Sequence, residues 1–217
     1  KIAILTIVAS LFLGLGLVNA KDNQFTSKED SLLCIEKFSL YREFYKQKNY
    51  DDAMPYWRWV FQNCPERSLN IYIDGANMMK SYVDKSTNAT VKNQYIDSLM
   101  MVYNQRLNYF TTSKNNKPGT VKIRQAMELK NYRPSDTMII YNLLRQGVEL
   151  EGVNSDPIGV ANYFITTNDL VAGGRFSADS ILNAYDLLSD LTDKRLQQVD
   201  TNGNYMWYSV KATLEGV

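Results

Sequence analysis

Apolar residues recurring at helical spacing, segment after segment, constrain this chain more than any other feature. Ser27-Lys28-Glu29-Asp30 reads as a hydroxyl cap with acids in the first helical turn. Leu33, Phe38, Leu40, Tyr41, Phe44 and Tyr45 then follow a helical period, and Lys48-Asn49 breaks it. A second helix is predicted over 50–63; Cys64-Pro65 stops it, because proline cannot continue a helix. Further helices are predicted over 68–84, 90–110, 120–130, 135–151, 157–172 and 177–198, with loops at 86–88 and 111–119. Asp156-Pro157 is a cap followed by proline at the first helical position, and Gly173-Gly174 closes the helix that follows. Asp200 to Gly203 reads as a turn. The stretch from Tyr205 to Val210 fits a strand or a helix, and a helix continuing to Gly216 is favoured. Runs of period-two alternation separated by turn pairs are absent. The expected class is all-α.

The helices pair at a spacing of about 34 residues, and spacing of that kind signals stacked repeats. The clearest unit ends with a large residue at Tyr50, a small one at Ala53, an aromatic at Trp57, then Val60 and a closing Pro65. This resembles the second half of a tetratricopeptide repeat. Its first helix then starts at Cys34, with Leu40 and Phe44 at apolar positions. Lys37 and Tyr41 depart from the family pattern, which predicts looser packing of that helix on its partner. A second match lies in Tyr141 to Gly152, where Gly147-Val148-Glu149-Leu150-Glu151 resembles the family's ending. Weaker echoes are Tyr72-Ile73-Asp74-Gly75-Ala76 and Val160-Ala161-Asn162-Tyr163-Phe164. As a whole the chain resembles the secreted tetratricopeptide-repeat proteins of Bacteroidetes-type bacteria.

The resemblance implies a right-handed superhelical stack of antiparallel helical hairpins over residues 28–198, followed over 199–217 by a turn and the start of a further helix. A hairpin cannot bury its apolar faces alone; stacking gives a continuous core and a concave surface lined by the first helix of each pair. In the family that surface binds protein partners. The matching positions here are Ile35, Phe38, Arg42, Tyr45 and Lys46, and the later echo adds Asn162. The alternative is a solvated face that holds nothing.

Residues 1–20 stand apart. Lys1, an apolar run from Ile2 to Val18 and the small-residue end Val18-Asn19-Ala20 have the form of a secretory signal peptide. The run falls short of the roughly 20 residues a spanning helix needs, though an uncleaved anchor is the competing reading. Residues 21–27 are expected to be a flexible leader. Export implies a periplasmic, outer-membrane-associated or extracellular location, with no membrane span after cleavage. It also places Cys34 and Cys64 in an oxidising compartment. They sit at opposite ends of one predicted hairpin, which brings them together; a disulfide is favoured over two buried thiols.

Charge and composition narrow the function. Removing Lys1 with the signal leaves 23 Lys+Arg against 23 Asp+Glu, so the basic excess of a nucleic-acid binder is missing. There is no histidine, hence neither the commonest general base nor the commonest zinc ligand. Glu149 and Glu151 are two apart and point to different sides of a helix. No catalytic residue, metal site or cofactor is expected. Asp200-Thr201-Asn202-Gly203-Asn204 only faintly echoes a calcium loop. Trp57 and Trp59 lie about 200° apart on their helix and cannot face one way. The leading expectation is a scaffold holding a protein or peptide partner in the bacterial cell envelope. A glycan-binding protein is the alternative, and a hydrolase the third.

Overall fold

A computed structural model describes residues 28–111, 116–198 and 205–216. Among the described residues the chain forms nine α-helices and no strand. They are α1 (Lys28–Lys46), α2 (Tyr50–Asn63), α3 (Asn70–Lys85), α4 (Ala89–Tyr109), α5 (Pro118–Tyr132), α6 (Thr137–Glu151), α7 (Pro157–Ala172), α8 (Asp179–Gln198) and α9 (Tyr205–Glu215). The all-α expectation holds. Residues 1–20, expected to be a signal peptide, residues 21–27, the middle of the expected 111–119 loop and the expected turn at 200–203 lie outside the described residues.

Local chemistry sets the helix ends. The Asn88 side chain accepts the Val91 N–H at 3.1 Å and opens α4. Asp156 accepts from Ile158 N–H at 2.8 Å and opens α7, with Pro157 behind it. Lys48 takes φ of 57° in the tight turn between α1 and α2. Gly152 follows α6 with φ of 54°, where its missing Cβ removes the steric cost. The ambiguous C-terminal segment is helix α9, and its Trp207, Val210 and Leu214 are buried in the core it shares with α7 and α8.

Substantial packing joins helices that are one or two apart in the chain: α1 with α2, α3 with α4, α5 with α6, then α6 with α7 and α7 with both α8 and α9. Two apolar clusters result. The first draws mainly on α1 to α4, with Val121 from α5, and includes Tyr41, Trp57, Tyr72 and Leu99. The second draws mainly on α5 to α9, with Val83 from α3 and Ile96 from α4, and includes Leu144, Phe164 and Leu188. Tyr95, Met100 and Tyr132 border both. Each such large side chain contributes about 1.5–3 kcal/mol when fully buried.

Close approach is arranged residue by residue. Trp57 lies 2 % exposed against Gly75, and its Nε1–H donates to the Ile71 carbonyl at 2.7 Å. Any Cβ on Gly75 would overlap the Trp57 ring. Cys34 and Cys64 form a disulfide with Cα atoms 6.2 Å apart, tying the start of α1 to the end of α2. Tyr41, expected to loosen that hairpin, is fully buried with its hydroxyl directed to Asp74 on α3. Its bulk is accommodated at the next joint along the chain.

Candidate functional site

The site expected from the sequence lies along one flank of α1. Ile35 is 41 % exposed. Phe38 is half-buried, edge-on to Tyr41 with centroids 5.2 Å apart, and the Arg67 guanidinium sits 5.9 Å from its ring. Lys46, in the last turn, is exposed. Arg42 and Tyr45 point across to α3.

Arg42 forms an ion pair with Asp74, whose side chain is only 5 % exposed, and Tyr41 Oη–H donates to the same carboxylate at 3.3 Å. Tyr45 stacks on Tyr50 with centroids 5.5 Å apart, and its hydroxyl accepts from Asn77 Nδ2 at 3.0 Å. Arg42 also lies 5.9 Å from the Tyr45 ring. Burial pushes the Asp74 carboxyl above its ordinary 3.8, and the bonds from Arg42 and Tyr41 oppose the shift without cancelling it. Burial, reinforced by Asp74, raises Tyr41 strongly; burial also raises Tyr45. These groups therefore hold the α1–α3 joint, and Arg42 keeps only its outer N–H groups for a ligand.

The joint is one of a series. Lys80 on α3 donates to Glu128 on α5 at 2.9 Å. Lys130 on α5 donates to Asn162 on α7 at 2.8 Å, and Asn162 Nδ2 donates to the Ile158 carbonyl at 2.9 Å. Alternate helices α1, α3, α5 and α7 are thus linked by polar side chains at every step. Asn162 belongs to the far end of this row, since α1 packs on neither α5 nor α7. Ile35, Phe38, Arg42, Tyr45 and Lys46 share α1; Asn162 does not join them.

Sequence reasoning missed Asp74, Asn77 and Lys130. Asp74 did carry a signal: an acid inside Ile71-Tyr72-Ile73-Asp74-Gly75-Ala76 must be buried and must find a cation. The sequence does not say which cation.

Protein-family models and curated proteins yield no match to this chain. The functional reading therefore rests on the chain's own chemistry. Among the described residues no group of three His, Cys, Asp or Glu side chains is placed to hold a metal ion. No described helix is long and apolar enough to cross a membrane. Two larger clefts open elsewhere among the described residues. One of about 620 Å³ runs along α4, lined by Gln62, Asn104, Gln105, Asn108, Met101 and Tyr109 among others. The second, about 270 Å³, lies where the end of α5, the start of α6 and the end of α7 meet.

Proposed function

We propose that the protein is an exported scaffold of the tetratricopeptide-repeat type, a right-handed superhelical stack that holds a protein or peptide partner in the bacterial cell envelope without catalysis. One observation carries this reading: helices pack on those one or two places away, and alternate helices are joined in a row by polar side chains. An architecture of that kind gives an extended surface rather than a deep pocket. Ile35, Phe38 and Lys46 offer an apolar strip and a cation on the first helix of the row. Arg42 and Tyr45 set its rim.

A photo-crosslinking residue at Ile35 or Lys46, expressed in the native host, should capture a discrete envelope protein. The same residue at Arg58, exposed on α2, should not. The captured protein, purified, should bind wild type and lose at least tenfold in affinity to Ile35→Glu/Lys46→Glu. Equal capture at position 58, or unchanged affinity, would count against this face.

The second reading, a glycan-binding surface protein, draws on the α4 cleft. Its amides Gln62, Asn104, Gln105 and Asn108 both donate and accept, and Tyr109 supplies a ring, a combination suited to hydroxyl-rich neutral ligands. Saturable quenching of tryptophan fluorescence by envelope or dietary polysaccharides, removed by Asn104→Ala/Asn108→Ala, would favour it.

A further inference from the structure

The cleft at the foot of α5, α6 and α7 carries opposite charges that do not meet. Lys130, Asp169 and Arg175 all line it. Among the described residues no ion pair joins Asp169 to either cation, and Lys130 is bonded instead to Asn162. Asp169 and Arg175, six residues apart and both exposed, face the same open-sided space of about 270 Å³ without pairing. An anomaly sits in the wall. Thr166 is 2 % exposed and its Oγ1 has no hydrogen-bond partner. A buried hydroxyl left unpaired in a native structure calls for an explanation. Thr137, the first residue of α6, also lines the cleft, and the Asp136 side chain before it makes no capping bond. The Asp136 carboxylate is turned to Arg133 Nε at 3.2 Å. The first N–H groups of α6 thus lack a side-chain cap, an arrangement that favours negative charge. Ile140 and Leu170 provide an apolar wall.

We propose that this cleft binds a small zwitterion of the α-amino-acid class. Its carboxylate lies toward Lys130, Arg175 and the start of α6, its ammonium toward Asp169, and an aliphatic side chain rests on Ile140 and Leu170. A simple anion would leave Asp169 opposed, and a simple cation would face two positive side chains. A ligand carrying both signs meets all three charges at once, and the Thr166 hydroxyl gains a partner when either polar end approaches. The space suits one small molecule, below the usual range of clefts for larger ligands.

The test is calorimetric titration of the purified protein with each of the twenty protein amino acids, L-leucine first. Two charge-deleted relatives, N-acetyl-L-leucine and L-leucinamide, form the controls. Saturable binding of an aliphatic amino acid, weakened at least tenfold in both controls, is expected. Arg175→Ala and Asp169→Asn, both at exposed positions, should each weaken it about tenfold, and Thr166→Val by a smaller factor. Retained binding of the N-acetyl compound would show an anion site and overturn the proposal, as would retained binding of the amide. Absence of binding by all twenty amino acids, or affinity unchanged by both charge variants, would also overturn it.

Discussion

Helices α1 to α4 meet mainly through rings, and helices α5 to α7 mainly where side chains are missing, with Gly75 under Trp57 the exception in the first group and Tyr141 on Tyr163 the exception in the second. In the first group, rings fill the joints: Phe44 on Tyr56, Trp57 on Phe61, Phe61 on Tyr72 and Tyr72 on Phe110, with centroids 4.8 to 5.9 Å apart. A disulfide closes the outermost hairpin. In the second group, Gly119, Gly147 and Gly159 cluster around Ile123 and let backbones approach; a Cβ on Gly147 would come within 2.6 Å of Ile123 Cγ1 and 2.9 Å of the Gly119 carbonyl. The two solutions fail differently. An aromatic joint loses stability when a ring is cut away, because a cavity remains. A glycine joint loses it when a single methyl is added.

The sharpest way to separate the halves is to cut the covalent one. Cys34→Ser/Cys64→Ser opens a loop of separation 30 and should cost about 3.5 kcal/mol on the loop-entropy account. Urea unfolding followed by hydrogen exchange should show protection falling in α1 to α4 before α5 to α9. Equal loss throughout would mean that the halves unfold as one unit. Next in size is Gly119→Ala, whose Cβ would overlap the Gly147 carbonyl oxygen. A loss of about 2–3 kcal/mol is expected, with exchange rising first in α5 and α6; neutrality would show that this joint has slack.

Arg42→Ala leaves Asp74 buried with only the Tyr41 and Tyr45 hydroxyls beside it, and should cost about 1–2 kcal/mol in urea. Adding Asp74→Asn should recover part of the loss, since the two residues act as a pair. The smallest effect is on pH dependence. The folded Asp74 value lies above the unfolded one, so protonation favours the folded chain. Its contribution is fully present below the ordinary carboxyl value and is lost as pH rises through the raised one. The stability of wild type relative to Asp74→Asn should therefore be greatest near pH 3 and decline toward neutrality. A rise with pH would mean that the Arg42 pair outweighs burial.

The helices were legible because their signals are local. Apolar period, the Asp156-Pro157 cap and the Cys64-Pro65 stop each act within a few residues, and α2, α7 and the start of the 64–65 break fall where they predict. Helix α5 begins at Pro118, two residues earlier than expected, because proline is tolerated in a first turn. The disulfide was legible once Cys34 and Cys64 were placed at the ends of one hairpin. The flank of α1 was legible as a face but not as a set of contacts. Arg42 and Tyr45 look free in sequence because Asp74 and Asn77 lie 32 residues further on. Pairing at that range depends on how α1 and α3 meet, which no local pattern encodes.

The position of the Cys34–Cys64 bond has a mechanical consequence. Pulled by its two ends, the chain would lengthen as each hairpin came apart, except within that link. Roughly 100 Å of contour, at about 3.4 Å per residue, would stay locked. A partner seated on α1 would thus be tethered to the segment of the molecule that stretches least, and strain would be released first toward α9.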